Sequence, residues 1–190
     1  SRFDYEKLSS QGRVSYDFWK FRAQSQQAEL PYLEHAYVFT QFNNSHTYAV
    51  AFLANYHTVD TEVDMQAYIR RIQGFARMGE QGLVRAKSAA AKGIRPPRFS
   101  YEAVIEQSAQ VISGYPFDDG PDESAFWKDA SGKIAALGDK GEISAEREQQ
   151  LREEVRLALL EHTLPFYQRL IAWHKEDIRN TDEKARGVHS

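Results

Sequence analysis

At 190 residues the chain is long enough for one well-packed domain and short for two. Its 24 basic and 27 acidic residues leave a net charge of −3, which gives no electrostatic case for a nucleic-acid or membrane-surface partner, while a hydrophobic share of 42% supplies a core. The absence of cysteine excludes disulfides, thiolate zinc sites, thiol nucleophiles and iron–sulfur clusters, and leaves the compartment undecided.

Helical spacing dominates the chain. Val14, Phe18, Phe21, Ser25 and Ala28 predict a helix over 13–29, with Pro31 as its stop. The aromatic and β-branched stretch 33–44 fits either extended or irregular chain. "YAVAFLANY" at 48–56 reads as a short buried helix, because it carries almost no polar surface. Thr61 and Asp64 then have capping-box spacing, with Asp in place of the usual Glu or Gln. From there Met65, Ile69, Ile72, Ala76, Gly79, Leu83, Ala86 and Ala90 step by alternating fours and threes. Half of that seam is Ala or Gly, so a neighbouring helix is expected close by. Lys92 and Gly93 end the element.

The diproline of "IRPPRFS" makes a spacer, after which Ser100 is expected to cap a helix whose apolar face is Tyr101, Val104, Ile105, Ser108, Val111 and Ile112. Pro121 is expected to open the next helix, carrying Phe126, Trp127 and Ile134. Ser144 caps the last and longest one, whose apolar line reads Leu151, Val155, Leu159, His162, Phe166, Leu170 and Trp173. Pro165 interrupts that line and should disturb the helix near Glu161 or His162. The fold class expected is all-α: an irregular multi-helix bundle with long antiparallel helices, one kinked at Pro165, in a single helical domain over 1–190. No apolar run approaches the ~20 residues of a membrane span.

Two of the six histidines bracket the apolar run "SHTYAVAFLANYH". His46 and His57 are 11 positions apart, which on one unbroken helix is a rise of about 16 Å. Two imidazoles on one zinc must each lie about 2 Å from it, so a continuous helix cannot join them at one ion. Read from residues alone, each histidine ends or flanks a buried helix and satisfies nearby backbone. His162, beside Glu161, reads as core-facing at the bend. No histidine stands in H-E-x-x-H or E-x-x-H, and there is no G-x-S-x-G elbow, phosphate loop or dinucleotide fingerprint. Arg70 and Arg71, like Arg95 and Arg98, read as ordinary solvated positions. The acidic run "DDGPDE" lacks the register of a calcium loop.

The order of "LSSQGRVSYDFWKF", "NSHTYAVAFLANYHTVDTEVDMQAYIRRI", "AAAKGIRPPRFSYEAVIEQ" and "EHTLPFYQRLIAW" resembles the amino-terminal region of the bacterial domain-of-unknown-function family 885. Members of that family look like zincin-type metallopeptidases, with a motif similar to H-E-x-x-P-G-H far downstream. The resemblance therefore implies the non-catalytic amino-terminal helical part of a longer zinc peptidase-like protein, forming one wall of a peptide-binding cleft. It implies no catalytic residue, metal ligand or cofactor in this chain, and zinc for the full-length parent. His46, Tyr48 and His57 become the substrate-cleft candidates. The implied partners are the missing carboxy-terminal catalytic region and a peptide. The implied location is the periplasm or cell envelope, the cytoplasm staying open. The competing reading is a free-standing helical binding or scaffolding module, in which the seam from Met65 to Ala90 serves a partner helix.

Overall fold

The computed structural model describes residues 4–42 and 45–183, apart from the side chain of Glu34. Asn43, Asn44 and the polar tail with Arg186 and His189 lie outside the described residues. Among those described the fold is all-helical: α1 (Ser10–Glu29), α2 (Tyr48–Tyr56), α3 (Glu62–Ala91), α4 (Arg98–Val111), α5 (Ala125–Asp139), α6 (Ala145–Ala158) and α7 (Leu164–Asp177). A π turn, Leu159–Thr163, joins the last two. None of these helices is long and apolar enough to cross a membrane.

The chain divides into two compact units, residues 1–36 and 37–190. In the first, Ser9 caps α1 by accepting from the Gly12 amide at 3.1 Å, and the Tyr5 hydroxyl donates to Asp17 at 2.8 Å. The helix therefore starts at Ser10, three residues before the expected Arg13. No side chain of α1 is buried; Val14, Phe18 and Phe21 of its apolar line are exposed.

The second unit is organised around α3. The capping box forms as its spacing predicts: the Thr61 hydroxyl accepts from the Asp64 amide, and the Asp64 carboxylate accepts from the Thr61 amide at 3.0 Å. Gly93, at φ 81°, takes the left-handed position after the helix end. The seam is covered by the unit's own helices, with Met65, Ile69, Ile72, Ala76, Leu83 and Ala90 all buried. α3 packs on α6, the π turn and α7, while α4 lies along α7 and α5 along α6.

The helices pack in both senses. Glu62 meets Arg147, Gln66 meets Glu154 and Glu80 meets Arg169, so both chains ascend together. The longest paths, α3 and α6–α7, are therefore parallel. The reason is the excursion between them, which returns the chain to the starting end. Antiparallel packing is found instead for α4 on α7, where Tyr101 near the start of one meets Asp177 at the end of the other.

Three local expectations also shift. Ser100 does not cap α4, whose preceding residue is Pro97; it is buried and donates to Gln41 at 2.6 Å. α5 starts at the Ser124 cap, which accepts from the Trp127 amide, and not at Pro121. His162 is exposed rather than core-facing. The π turn explains this last point. The Leu164 amide reaches back five residues to the Leu159 carbonyl, and the extra residue moves the inward position from His162 to buried Thr163. Pro165 follows directly, where its missing N–H costs the ladder least.

At Gly79 of α3 the Phe166 ring of α7 lies against the helix backbone. A Cβ there would stand 2.3 Å from Cζ of Phe166, a buried ring that would have to shift to admit it. Gly79→Ala is expected to destabilise the fold by about 1–3 kcal/mol, despite the better helix propensity of Ala. Gly74, on the same helix, has nothing within 4 Å of such a Cβ. Gly74→Ala is therefore expected to stabilise by up to about 1 kcal/mol. Urea denaturation of the two variants checks both signs.

Candidate functional site

α2 carries no charged residue, yet only part of it is core. Ala49 and Leu53 bury against the unit, while Tyr48, Phe52 and Tyr56, spaced one helical turn apart, form a stripe along the other side. Tyr48 is 47% exposed and Tyr56 is 74% exposed, which corrects the expectation of a buried helix. The rings touch in sequence, with centroids 5.6 Å apart for Tyr48 and Phe52 and 5.9 Å for Phe52 and Tyr56. Phe75 of α3 backs the stripe, 5.6 Å from Phe52 and 6.2 Å from Tyr48. Beside Phe75 lies a small cavity of about 10 Å³, room for one water or methyl group, bounded by Ala49, Met78, Phe126, Thr163 and Phe166.

The three candidate residues separate. His46 is 1% exposed and lies inside the unit. Its Nε2–H donates to the Gln107 side-chain oxygen at 2.7 Å, which leaves Nδ1 bare and without a partner among the described residues. The Tyr167 hydroxyl donates to the His46 carbonyl. Burial holds the His46 imidazole below its ordinary pKa. His57, at the other end of α2, is 5% exposed. Arg71 donates to its Nδ1, and its Nε2–H donates to the Asp64 carbonyl at 3.1 Å. Burial first, and the Arg71 cation second, lower its pKa. Both rings thus face inward and have structural work, while Tyr48 faces out.

Under α2, Asp129 accepts from the Tyr68 hydroxyl and from Lys133, each at 2.8 Å, and Lys133 also donates to the Leu53 carbonyl at 2.6 Å. That network ties α2, α3 and α5 together and keeps the stripe in place. The arginines are not merely solvated. Arg71 stacks 5.8 Å from the Phe52 centroid, and Arg95 makes a two-pronged pair with Asp177.

Phe52, Tyr56 and Phe75 were not singled out from the sequence, and Arg71 reads there as a solvated position. The signal was present, since aromatics at 48, 52 and 56 share one face and 71 and 75 share another. What hid it was the lack of polar residues in α2, which reads as burial on every side. Chemically the arrangement is a surface for an apolar or aromatic ligand. It does not suit a metal. Both ring nitrogens of His57 are engaged, His46 is alone, and among the described residues no three His, Cys, Asp or Glu side chains gather as a metal ion requires.

No curated protein and no solved structure matches the chain. A family model described as "Bacterial protein of unknown function" (DUF885) matches residues 1–189. With the match running over nearly every residue, the chain belongs to the DUF885 family of bacterial proteins.

Proposed function

We propose that this chain is a non-catalytic, amino-terminal helical part of a zinc metallopeptidase-like protein of the cell envelope, where it forms one wall of a peptide-binding cleft. The observation that carries the reading is the uncovered aromatic stripe Tyr48–Phe52–Tyr56, held rigid by buried polar ties and backed by Phe75. Rigid, partly exposed rings offer large contact area at small entropic cost, as a peptide groove requires. The zinc and the residues that activate water belong to the carboxy-terminal region in this reading. His46 and His57 support the wall and do not touch substrate; Tyr48 does.

A scaffolding role through the α3 seam is less well supported. Its apolar positions are covered by α6, the π turn and α7, so a partner helix would have to displace the unit's own core.

Two measurements test the proposal. The intact mass of the native gene product should lie well above 21.8 kDa, and that product should hydrolyse peptides in a chelator-sensitive way. A native mass of 21.8 kDa overturns it. In the chain by itself, Tyr48→Ser with Tyr56→Ser should weaken peptide binding roughly tenfold or more, as expected for lost aromatic anchors. Unchanged affinity in that double variant removes the stripe from the site.

A further inference from the structure

We propose that Arg71 is an anion clamp for the aromatic stripe and takes the carboxy-terminal carboxylate of a bound peptide. The inference rests on the peptide-binding reading above and specifies which end of the peptide lies where.

Three observations carry it. First, Arg71 is an exposed cation with no carboxylate partner among the described residues. Arg70, Arg77 and Arg85 of the same helix also lack one, but among the described residues Arg71 is the arginine that lies over a ring of the stripe. Second, its guanidinium is held in place rather than free. One nitrogen donates to His57 Nδ1, and the plane lies 5.8 Å from the Phe52 centroid. A neutral imidazole satisfies one donor but leaves the positive charge unbalanced, and the remaining N–H groups keep the fork that suits a carboxylate. Third, the acids nearest along these elements are already engaged. Asp64 closes the capping box with Thr61, and Asp129 accepts from Tyr68 and Lys133. An uncharged aromatic stripe with the unbalanced Arg71 cation stacked on it is complementary to an apolar chain that carries a negative charge.

The direction follows from the same residues. The stripe spans about 12 Å of helix, the length of roughly four extended residues. Beyond His57 and Arg71, the first turn of α3 presents Glu62 and Asp64, an acidic stretch unsuited to a continuing chain with a carboxylate nearby. The negative charge at Arg71 therefore marks the end of the ligand. His57 is a positioning residue here: its Nε2–H is fixed by the Asp64 carbonyl, which turns Nδ1 toward the guanidinium.

The test is titration calorimetry of the 190-residue chain with three synthetic tetrapeptides at low ionic strength: N-acetyl-Ala-Phe-Ala-Phe as the free acid, the same peptide as its carboxamide, and an amidated version with an internal Glu. The free acid is expected to bind at least roughly tenfold more tightly than the carboxamide. Arg71→Gln should abolish that difference, and Arg71→Lys should keep part of it. Tyr48→Ser should weaken acid and amide alike. Circular dichroism of each variant confirms that the fold is intact. If Arg71→Gln still prefers the acid, the clamp assignment is wrong. If the wild type binds acid and amide equally, the clamp fails and the peptide wall stands. If the internal Glu peptide matches the free acid, the chain-end assignment is overturned. If no peptide binds, the peptide-binding reading itself fails.

Discussion

Asp177→Ala should lower the melting temperature by roughly 6–20 °C. The carboxylate sits at the end of α7, where four hydrogen bonds converge on it. Oδ2 accepts from Arg95 Nε and from the Tyr101 hydroxyl, each at 2.8 Å, and Oδ1 accepts from Arg95 at 3.0 Å and from Asn180 at 2.9 Å. Together these join the diproline spacer, α4 and α7. Asp177 and Tyr101 are buried and Arg95 is partly buried. Truncation leaves a guanidinium and a phenol with no acceptor in a largely dry site. Breaking a buried pair from one side typically costs about 3–5 kcal/mol, and a chain of this size loses about 2–4 °C per kcal/mol. Thermal melts followed by circular dichroism read the result. A drop below about 2 °C would mean that water replaces the carboxylate and that the hub contributes little. Asp177→Asn, which keeps the shape and loses the charge, should fall between wild type and Ala.

Much of this hub is invisible in the sequence, and the reason is physical. Arg95 and Asp177 are 82 positions apart, and nothing local distinguishes that pair from the many exposed ones. What the sequence does show is short-range. The Thr61–Asp64 box, the Ser144 cap and the Gly93 terminator depend on neighbours within four residues, and each forms as expected. The α3 seam is legible for the same reason, since a helix face is a local pattern. Errors begin where a second chain segment decides. Ser100 has the right chemistry for a cap, but Gln41 claims its hydroxyl from a distant loop. The apolar line of α6 and α7 is right up to Leu159 and wrong at His162, because periodicity assumes a uniform pitch and the π turn adds one residue.

The candidate site shows the same division. Of the three candidates, which share one segment of sequence, Tyr48 faces outward while His46 and His57 turn inward. Three-dimensional placement sends one ring to Gln107 of α4 and the other to Arg71 of α3. Hydrophobicity alone cannot say how much of an apolar helix the rest of the fold will cover. α3 and α5 pack against the Leu53 side of α2 and leave the Tyr48 side open.

The second large effect is on acid stability. Lowering the pH from 7 to 4 should remove on the order of 3 kcal/mol through His174 alone. This imidazole is 2% exposed, with Nδ1–H donating to the Leu170 carbonyl at 2.8 Å. Tyr101, Trp173 and Phe39 pack around it, with centroids 5.0, 4.7 and 5.8 Å away, and His46 and Asp177 are the titratable groups that act on it. Burial lowers its pKa from 6.5 to about 4, with the Leu170 carbonyl opposing and His46 reinforcing the shift. The folded state thus prefers the neutral ring. Above pH 6.5 the full contribution is present. Between pH 6.5 and 4 the unfolded chain binds a proton that the fold refuses, so stability falls by about 1.4 kcal/mol per pH unit. His46 is shifted in the same direction by the same cause and steepens the decline. Asp177 acts later. Burial pushes its carboxyl up, but the bonds from Arg95, Asn180 and Tyr101 outweigh it and bring the pKa to about 2, so its contribution is lost only below the usual carboxylate range. Urea midpoints between pH 7 and pH 2 should therefore decline in two stages. His174→Gln should flatten the upper stage and leave the lower one, whereas Asp177→Ala should do the reverse. A His174→Gln profile parallel to wild type between pH 6.5 and 4 would remove His174 as the source of acid lability and leave His46 to explain it.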